Sequence, residues 1–194
     1  MRAARSYAWL LVWMVATAAS AESPALDLPQ LMAKLAAVDR SVVAFEETRY
    51  FAVLSTPIVR RGTLHYVRPD RLEMRVFTPR PETIEVAGTH IRVESPAGKR
   101  EWDLAGEPVA LAWIEAIRAA LAGDGAALAR RFRIALVGTA EAWDMRLEPI
   151  DARVATALAS VDVKGRQADL TSIEILDSQG DRVAIVLTPE TIPR

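Results

Sequence analysis

Acid/base or metal chemistry in this chain would have to come from two histidines, His65 and His90, and from two carboxylate pairs, Glu46 with Glu47 and Glu82 with Glu85. Paired carboxylates in unlike surroundings can divide the roles of general acid and general base. A small hydrolase built on Glu46, Glu47 or His65 would draw on that chemistry. The spacing does not favour it. The histidines stand far apart in strand-like sequence with no ligand-like neighbours, which is not the pattern of a zinc site. There is no Gly-x-Ser-x-Gly elbow, no glycine-rich phosphate loop and no His-Glu-x-x-His. With no cysteine at all, thiolate chemistry and disulfides are both excluded. Glutamates on strands usually face water. The expectation is a protein that is not an enzyme, with no catalytic residue, no cofactor and no metal.

What the sequence does supply is large apolar side chains spread over one face of many strands and over a helix. Apolar residues alternate at Leu64 and Tyr66; at Leu72, Met74 and Val76; at Ile84 and Val86; at Ile91 and Val93; and at Trp102 and Leu104. Gly62, Pro69, Pro79, Gly88 and Pro96-Ala-Gly98 punctuate them as an antiparallel meander requires. A second strand-rich block holds Phe132, Ile134 and Leu136, then Trp143, Met145 and Leu147, then segments near 153–163, 168–176 and 182–188. Asp27, with Pro29 and apolar residues at 28, 31, 32, 35 and 38, marks an amphipathic helix ahead of the first block. Between the blocks a helical insertion is expected over about 107–131, with Pro108 near its start, Gly123 past its first helix, and a stripe of Ala110, Trp113, Ile114, Ile117 and Leu121. The fold class is therefore α+β: one curved antiparallel sheet of about ten strands, with a helix before it and a helical insertion midway. Such a sheet either packs dry or encloses an apolar ligand, and the pattern alone favours a filled core.

The first 21 residues set the compartment. Arg2 and Arg5 precede an apolar run from Tyr7 to Ala18 that is short for a membrane span, and Ala19-Ser20-Ala21 ends it with small residues. We expect a cleavable signal peptide over 1–21, a mature chain located outside the cytoplasm, and one domain over 22–194. Loss of Arg2 and Arg5 leaves 22 basic against 25 acidic residues, a net charge of −3. Without a basic block or tail, nucleic acid is not an expected partner.

Phe45-Glu-Glu47, then Gly62-Thr-Leu64-His-Tyr66-Val-Arg68-Pro69-Asp70-Arg71-Leu72-Glu-Met74-Arg75, then Thr78-Pro79 with Glu82-Thr-Ile84 and Gly88, resembles the periplasmic outer-membrane lipoprotein carrier family, LolA-like. The order of elements agrees from the first helix to about Leu187, and the fold that the resemblance implies is an open antiparallel half-barrel of about ten strands with a helical lid. The resemblance implies an apolar cavity for acyl chains between sheet and lid, lined by Leu64, Tyr66, Leu72, Met74, Val76, Ile84, Val86, Ile91, Trp102, Trp113, Ile114, Ile117, Leu121, Trp143 and Met145. It also implies that Arg68, by itself an ordinary strand-end arginine, latches the lid by donating to backbone carbonyls. The implied localisation is periplasmic, and the implied partners are a lipid or lipidated cargo, with an inner-membrane exporter and an outer-membrane acceptor met in passing; a monomer is expected. Three departures stand out. Glu47 replaces the family's Gln, Leu72 and Met74 replace aromatics, and Thr188 to Arg194 end before the further loop and short strand of standard carriers. These point to a LolA-related branch, of the kind found with gene sets that make acyl or aryl-polyene lipids, and leave the cargo open between a lipoprotein and such a lipid. A lipid- or lipoprotein-sensing regulatory module on the same fold is the alternative; neighbouring exporter or sigma-factor genes would separate the two.

Overall fold

The structure, a computed structural model, describes residues 26–189. The expected signal peptide, the boundary at Glu22 and residues 190–194 lie outside the described residues.

Helix α1 (Leu28–Ala36) starts where its capping chemistry dictates: the Asp27 carboxylate accepts from Gln30 N at 2.8 Å, and Pro29 occupies the first turn. Six strands follow as a meander: β1 (Arg40–Tyr50), β2 (Ile58–Val67), β3 (Arg71–Thr78), β4 (Glu82–Ala87), β5 (His90–Ser95) and β6 (Gly98–Asp103). The insertion forms α2 (Pro108–Ala122) and α3 (Gly125–Arg131), and β7 (Phe132–Thr139) and β8 (Ala142–Pro149) come next. The stretch expected as strand from 153 instead begins with a single helical turn, α4 (Ala152–Ala155), because the Asp151 side chain caps Arg153 N at 2.8 Å. The chain ends in β9 (Leu158–Arg166), β10 (Asp169–Asp177) and β11 (Arg182–Pro189).

All eleven strands join one antiparallel sheet in the order β6-β5-β4-β3-β2-β1-β11-β10-β9-β8-β7. The count is eleven rather than about ten. The sheet is open: β6 and β7 are its two edges, and the α2–α3 insertion runs from one edge to the other. None of the helices among the described residues is long and apolar enough to cross a membrane.

Register aligns the inward side chains in rows. One runs Tyr66, Leu72, Val86, Ile91, Trp102 from β2 to β6; the next runs Val43, Leu64, Met74, Ile84, Val93 from β1 to β5. On the other wing Ile185, Ile173, Val163, Met145 and Leu136 form a row that continues into Glu47 of β1. Leu31 and Leu35 of α1 and Ala112, Ile114, Ala116, Ile117 and Ala120 of α2 close over this face. Two glycines permit the fit. Gly62 lies so close to its neighbours that a Cβ there would stand 2.9 Å from the Phe45 ring and within clash range of Arg75 O. Gly123 ends α2 with φ +66° and backs onto α1, where a Cβ would fall 2.3 Å from Met32 O. The two lid helices thereby pack backbone against backbone.

Candidate functional site

At the end of the sheet where β1 begins and β11 finishes, a cavity of about 510 Å³ opens between lid and sheet. Leu35 of α1 and Leu121 of α2 roof it; Val43, Leu64, Tyr66, Ile173 and Leu187 form its floor and walls. Its size falls in the range of roughly 300–1,000 Å³ typical of small-molecule sites. Ser41, Arg166, Asp169, Thr171 and Thr188 also border it. Tyr66 is buried beside it, and its hydroxyl lies 3.5 Å from Pro69 O, at the limit of a hydrogen bond. Burial pushes the phenol above its ordinary value, against the opposing pull of Arg68 and Arg118, so it is neutral at physiological pH.

Of the residues expected to line the cavity, Leu64, Tyr66 and Leu121 do so. Leu72, Val76, Val86, Ile114, Ile117, Trp143 and Met145 fill the dry core, with Met74, Ile91 and Trp113 half-buried against it. Ile84 is half-buried outside that core. Trp102 departs from the expectation altogether: it faces inward opposite Ile91 but is 42 % exposed, because β6 is the sheet edge and the lid does not reach it. Val43, Ile173 and Leu187, absent from the expected set, enter the site because β1 pairs with β11, which sets the last strands beside the first.

Arg68, at the end of β2, spans the seam between the lid helices. Its Nη1 donates to Ala36 O, the last residue of α1, and lies 3.3 Å from Ala122 O, the last residue of α2. Both acceptors are carbonyls left without intrahelical partners, at the negative ends of the helix dipoles, where a guanidinium is favoured. Two residues on, Asp70 receives a contact in the opposite direction. Arg118 of α2 donates from Nη2 to Asp70 Oδ2 at 3.1 Å and from Nη1 to Gly88 O at 2.6 Å, and Asp70 Oδ2 also accepts from Gly88 N at 3.1 Å. A single turn, Arg68-Pro69-Asp70, thus holds α2 twice. Arg118 gives no signal in the sequence beyond being, with Glu115, one of two charges in an apolar helix.

The candidate acid/base residues are not brought together. His65 sits on β2 with Nε2 3.1 Å from Thr63 Oγ1, whereas His90 is exposed on β5, 3.7 Å from Asp103. Glu46 and Glu47 point to opposite faces. Glu46 pairs with Arg61 at 2.7 Å, and Glu85 with Arg92 at 3.5 Å. Glu47 is buried on the inner face between Arg49 at 2.5 Å and Arg60 at 3.0 Å, and Arg60 also holds Glu82 at 2.5 Å. Each of these carboxylates has an arginine partner. Among the described residues no three of His, Asp and Glu converge to hold a cation.

The family model described as outer membrane lipoprotein carrier protein LolA-like matches residues 18–190. Among solved structures, the chain is similar to a LolA superfamily protein from Nitrosomonas europaea, at 11% identity and TM-score 0.44 over 87% of this chain and 96% of that one. It is also similar to a DUF1329 family protein from Desulfovibrio piger, at 10% identity and TM-score 0.48 over 87% and 92% of the two chains. A comparison with curated proteins finds no match.

Proposed function

The chain belongs to the LolA-like family of outer membrane lipoprotein carrier proteins, and from that premise we propose that it is a non-enzymatic periplasmic carrier that shelters acyl chains in the cavity beneath α1 and α2 and delivers them toward the outer membrane. The observation that carries this reading is the apolar cavity of about 510 Å³ roofed by Leu35 and Leu121, beside a lid whose two helices are tied down by arginine. Burial of each CH₂ contributes roughly 0.8 kcal/mol, so a chain of about sixteen carbons gains on the order of 12 kcal/mol before ordering costs. Such a cargo leaves the protein only when the cavity changes shape. Closure of the lid, with Arg68 as its latch, supplies that change. An inner-membrane exporter would load the open form and an outer-membrane acceptor would receive the cargo.

Native mass spectrometry of the protein purified from its own periplasm is expected to recover a hydrophobic ligand in stoichiometric amount. Leu64→Trp, which fills the cavity floor, should abolish it while leaving the fold intact by circular dichroism. Recovery of equal ligand from Leu64→Trp and wild type, or of none from wild type, would overturn the proposal.

A further inference from the structure

The loop between β1 and β2 departs from the polar composition expected of a hairpin tip. From Tyr50 to Val59 the chain carries no charge, and Phe51-Ala52-Val53-Leu54-Ser55-Thr56-Pro57 offers only two hydroxyls. Yet residues 52–58 are all exposed. Val53 is 90 % exposed, Leu54 50 % and Ile58 42 %, and no other large apolar side chain among the described residues stands as free as Val53. The backbone holds the loop in this shape. Leu54 N donates to Phe51 O at 2.9 Å across a tight turn, and Ala52 N donates to Asp181 Oδ1 at 2.7 Å, which ties the loop to the turn between β10 and β11. At its base the Arg182 guanidinium lies 4.2 Å from the centre of the Tyr50 ring.

These apolar side chains form an apex, not a groove. A stable interface between proteins takes roughly 800 Å² from each partner, more than three side chains at a hairpin tip can bury. A bilayer asks for no matching surface, and apolar groups gain by leaving water for its interfacial region whatever their arrangement. The charges nearby suit that neighbour. Arg80, exposed in the turn between β3 and β4 at the same end of the sheet, has no carboxylate partner among the described residues. The carboxylates around it are engaged: Glu82 pairs with Arg60 at 2.5 Å, Glu46 with Arg61 at 2.7 Å, and Asp181 accepts from Ala52 N.

We propose that this loop is a membrane-contact tip: Val53 and Leu54 enter the interfacial region of a lipid bilayer, and Arg80 faces its anionic head groups. The proposal does not depend on what the cavity holds. Tip and cavity lie at opposite ends of β1, since Tyr50 pairs with Arg182 at the start of β11 and Val43 with Pro189 at its end. At about 3.3 Å per residue, the strand from Val43 to Tyr50 separates them by roughly 23 Å. A docked molecule therefore holds its cavity clear of the bilayer, where a protein partner can reach it. Contact through so few side chains is weak and reversible.

Sedimentation of the mature chain with sucrose-loaded vesicles tests the tip. Vesicles of phosphatidylethanolamine and phosphatidylglycerol should carry wild type down, and vesicles of phosphatidylcholine should carry less. The double variant Val53→Asp, Leu54→Asp should partition at least about tenfold more weakly, and Arg80→Gln should erase the preference for the anionic vesicles. Leu64→Trp, which fills the cavity floor, should bind vesicles as wild type does, and the loop variant should take up fatty acid as wild type does, so the tip and the carrier reading fail separately. Val53→Trp gives a second readout: its added emission should move to the blue on vesicles and be quenched by brominated acyl chains. Equal sedimentation of the loop variant and wild type, no sedimentation of wild type, or an unshifted Val53→Trp emission overturns the proposal. So does a wild-type dimer that the loop variant dissociates, which would make a second copy of the chain the occupant.

Discussion

Arg68→Leu is expected to raise the population with a lifted lid by about thirtyfold, so that the variant takes up cargo at least as well as wild type yet passes it on poorly. Hydrogen bonds from a charged donor are each worth about 1.5–3 kcal/mol. Arg68 makes two such contacts with the C-terminal carbonyls of α1 and α2, and its side chain is partly exposed, so we take a net loss of about 2 kcal/mol, which changes a population ratio by roughly thirtyfold. Leucine matches the stem but offers no donor. The clamp from Arg118 to Asp70 and Gly88 remains, so α2 stays attached near its middle and the seam with α1 opens first. Hydrogen exchange should therefore quicken in α1 before α2, and labelled lipid should move more slowly to acceptor vesicles. Arg71→Leu, an exposed position three residues away, serves as the control and should behave as wild type. Equal transfer by Arg68→Leu and wild type would make Arg68 a structural residue only.

Glu47→Ala is expected to cost about 3 kcal/mol of stability and to lower Tm by roughly 6–12 °C for a domain of this size. The Glu47 side chain is only 3 % exposed and lies on the inner face in line with Ile185 and Ile173. Its removal leaves Arg60 in the interior with Glu82 as its remaining carboxylate partner. Arg60 Nε, 3.0 Å from Glu47 Oε1 but off the line of a hydrogen bond, has no other partner. The cost falls at the low end for breaking buried pairs because Arg49, 37 % exposed, can turn to water. Glu47→Gln keeps an acceptor beside both arginines and should cost about half as much. The denaturation midpoint in urea measures both, and a Glu47→Ala midpoint within error of wild type would show that the cluster adds no stability.

The elements were largely legible in the sequence because each is announced locally. Asp27 and Pro29 open α1, Pro108 and Gly123 bracket α2, and alternation marks the strands on either side of the insertion. Asp151 marks a short helix in the same way, but its signal was masked by the apolar alternation that follows. The site was only half legible. Leu64, Tyr66 and Leu121 belong to segments whose inward face the pattern reveals, whereas Val43, Ile173 and Leu187 become neighbours through the pairing of β1 with β11, a contact between distant parts of the chain that no local period encodes. Trp102 shows the converse. Its alternation is correct, and it faces inward, but nothing local says that β6 is an edge beyond the lid. Arg118 was missed for the same reason, since its partners Asp70 and Gly88 belong to two turns that only the folded sheet brings together.

In the proposed carrier, acyl chains lie between the lid helices and the sheet. Photo-crosslinking with a diazirine-bearing fatty acid, followed by peptide mapping, tests it most directly. Labels are expected within residues 35–43, 64–66, 121, 166–173 and 187–189, and should be competed away by unlabelled lipid. Labelling confined to the outer face, as at Val137 or Val186, or a yield that unlabelled lipid does not reduce, would contradict it.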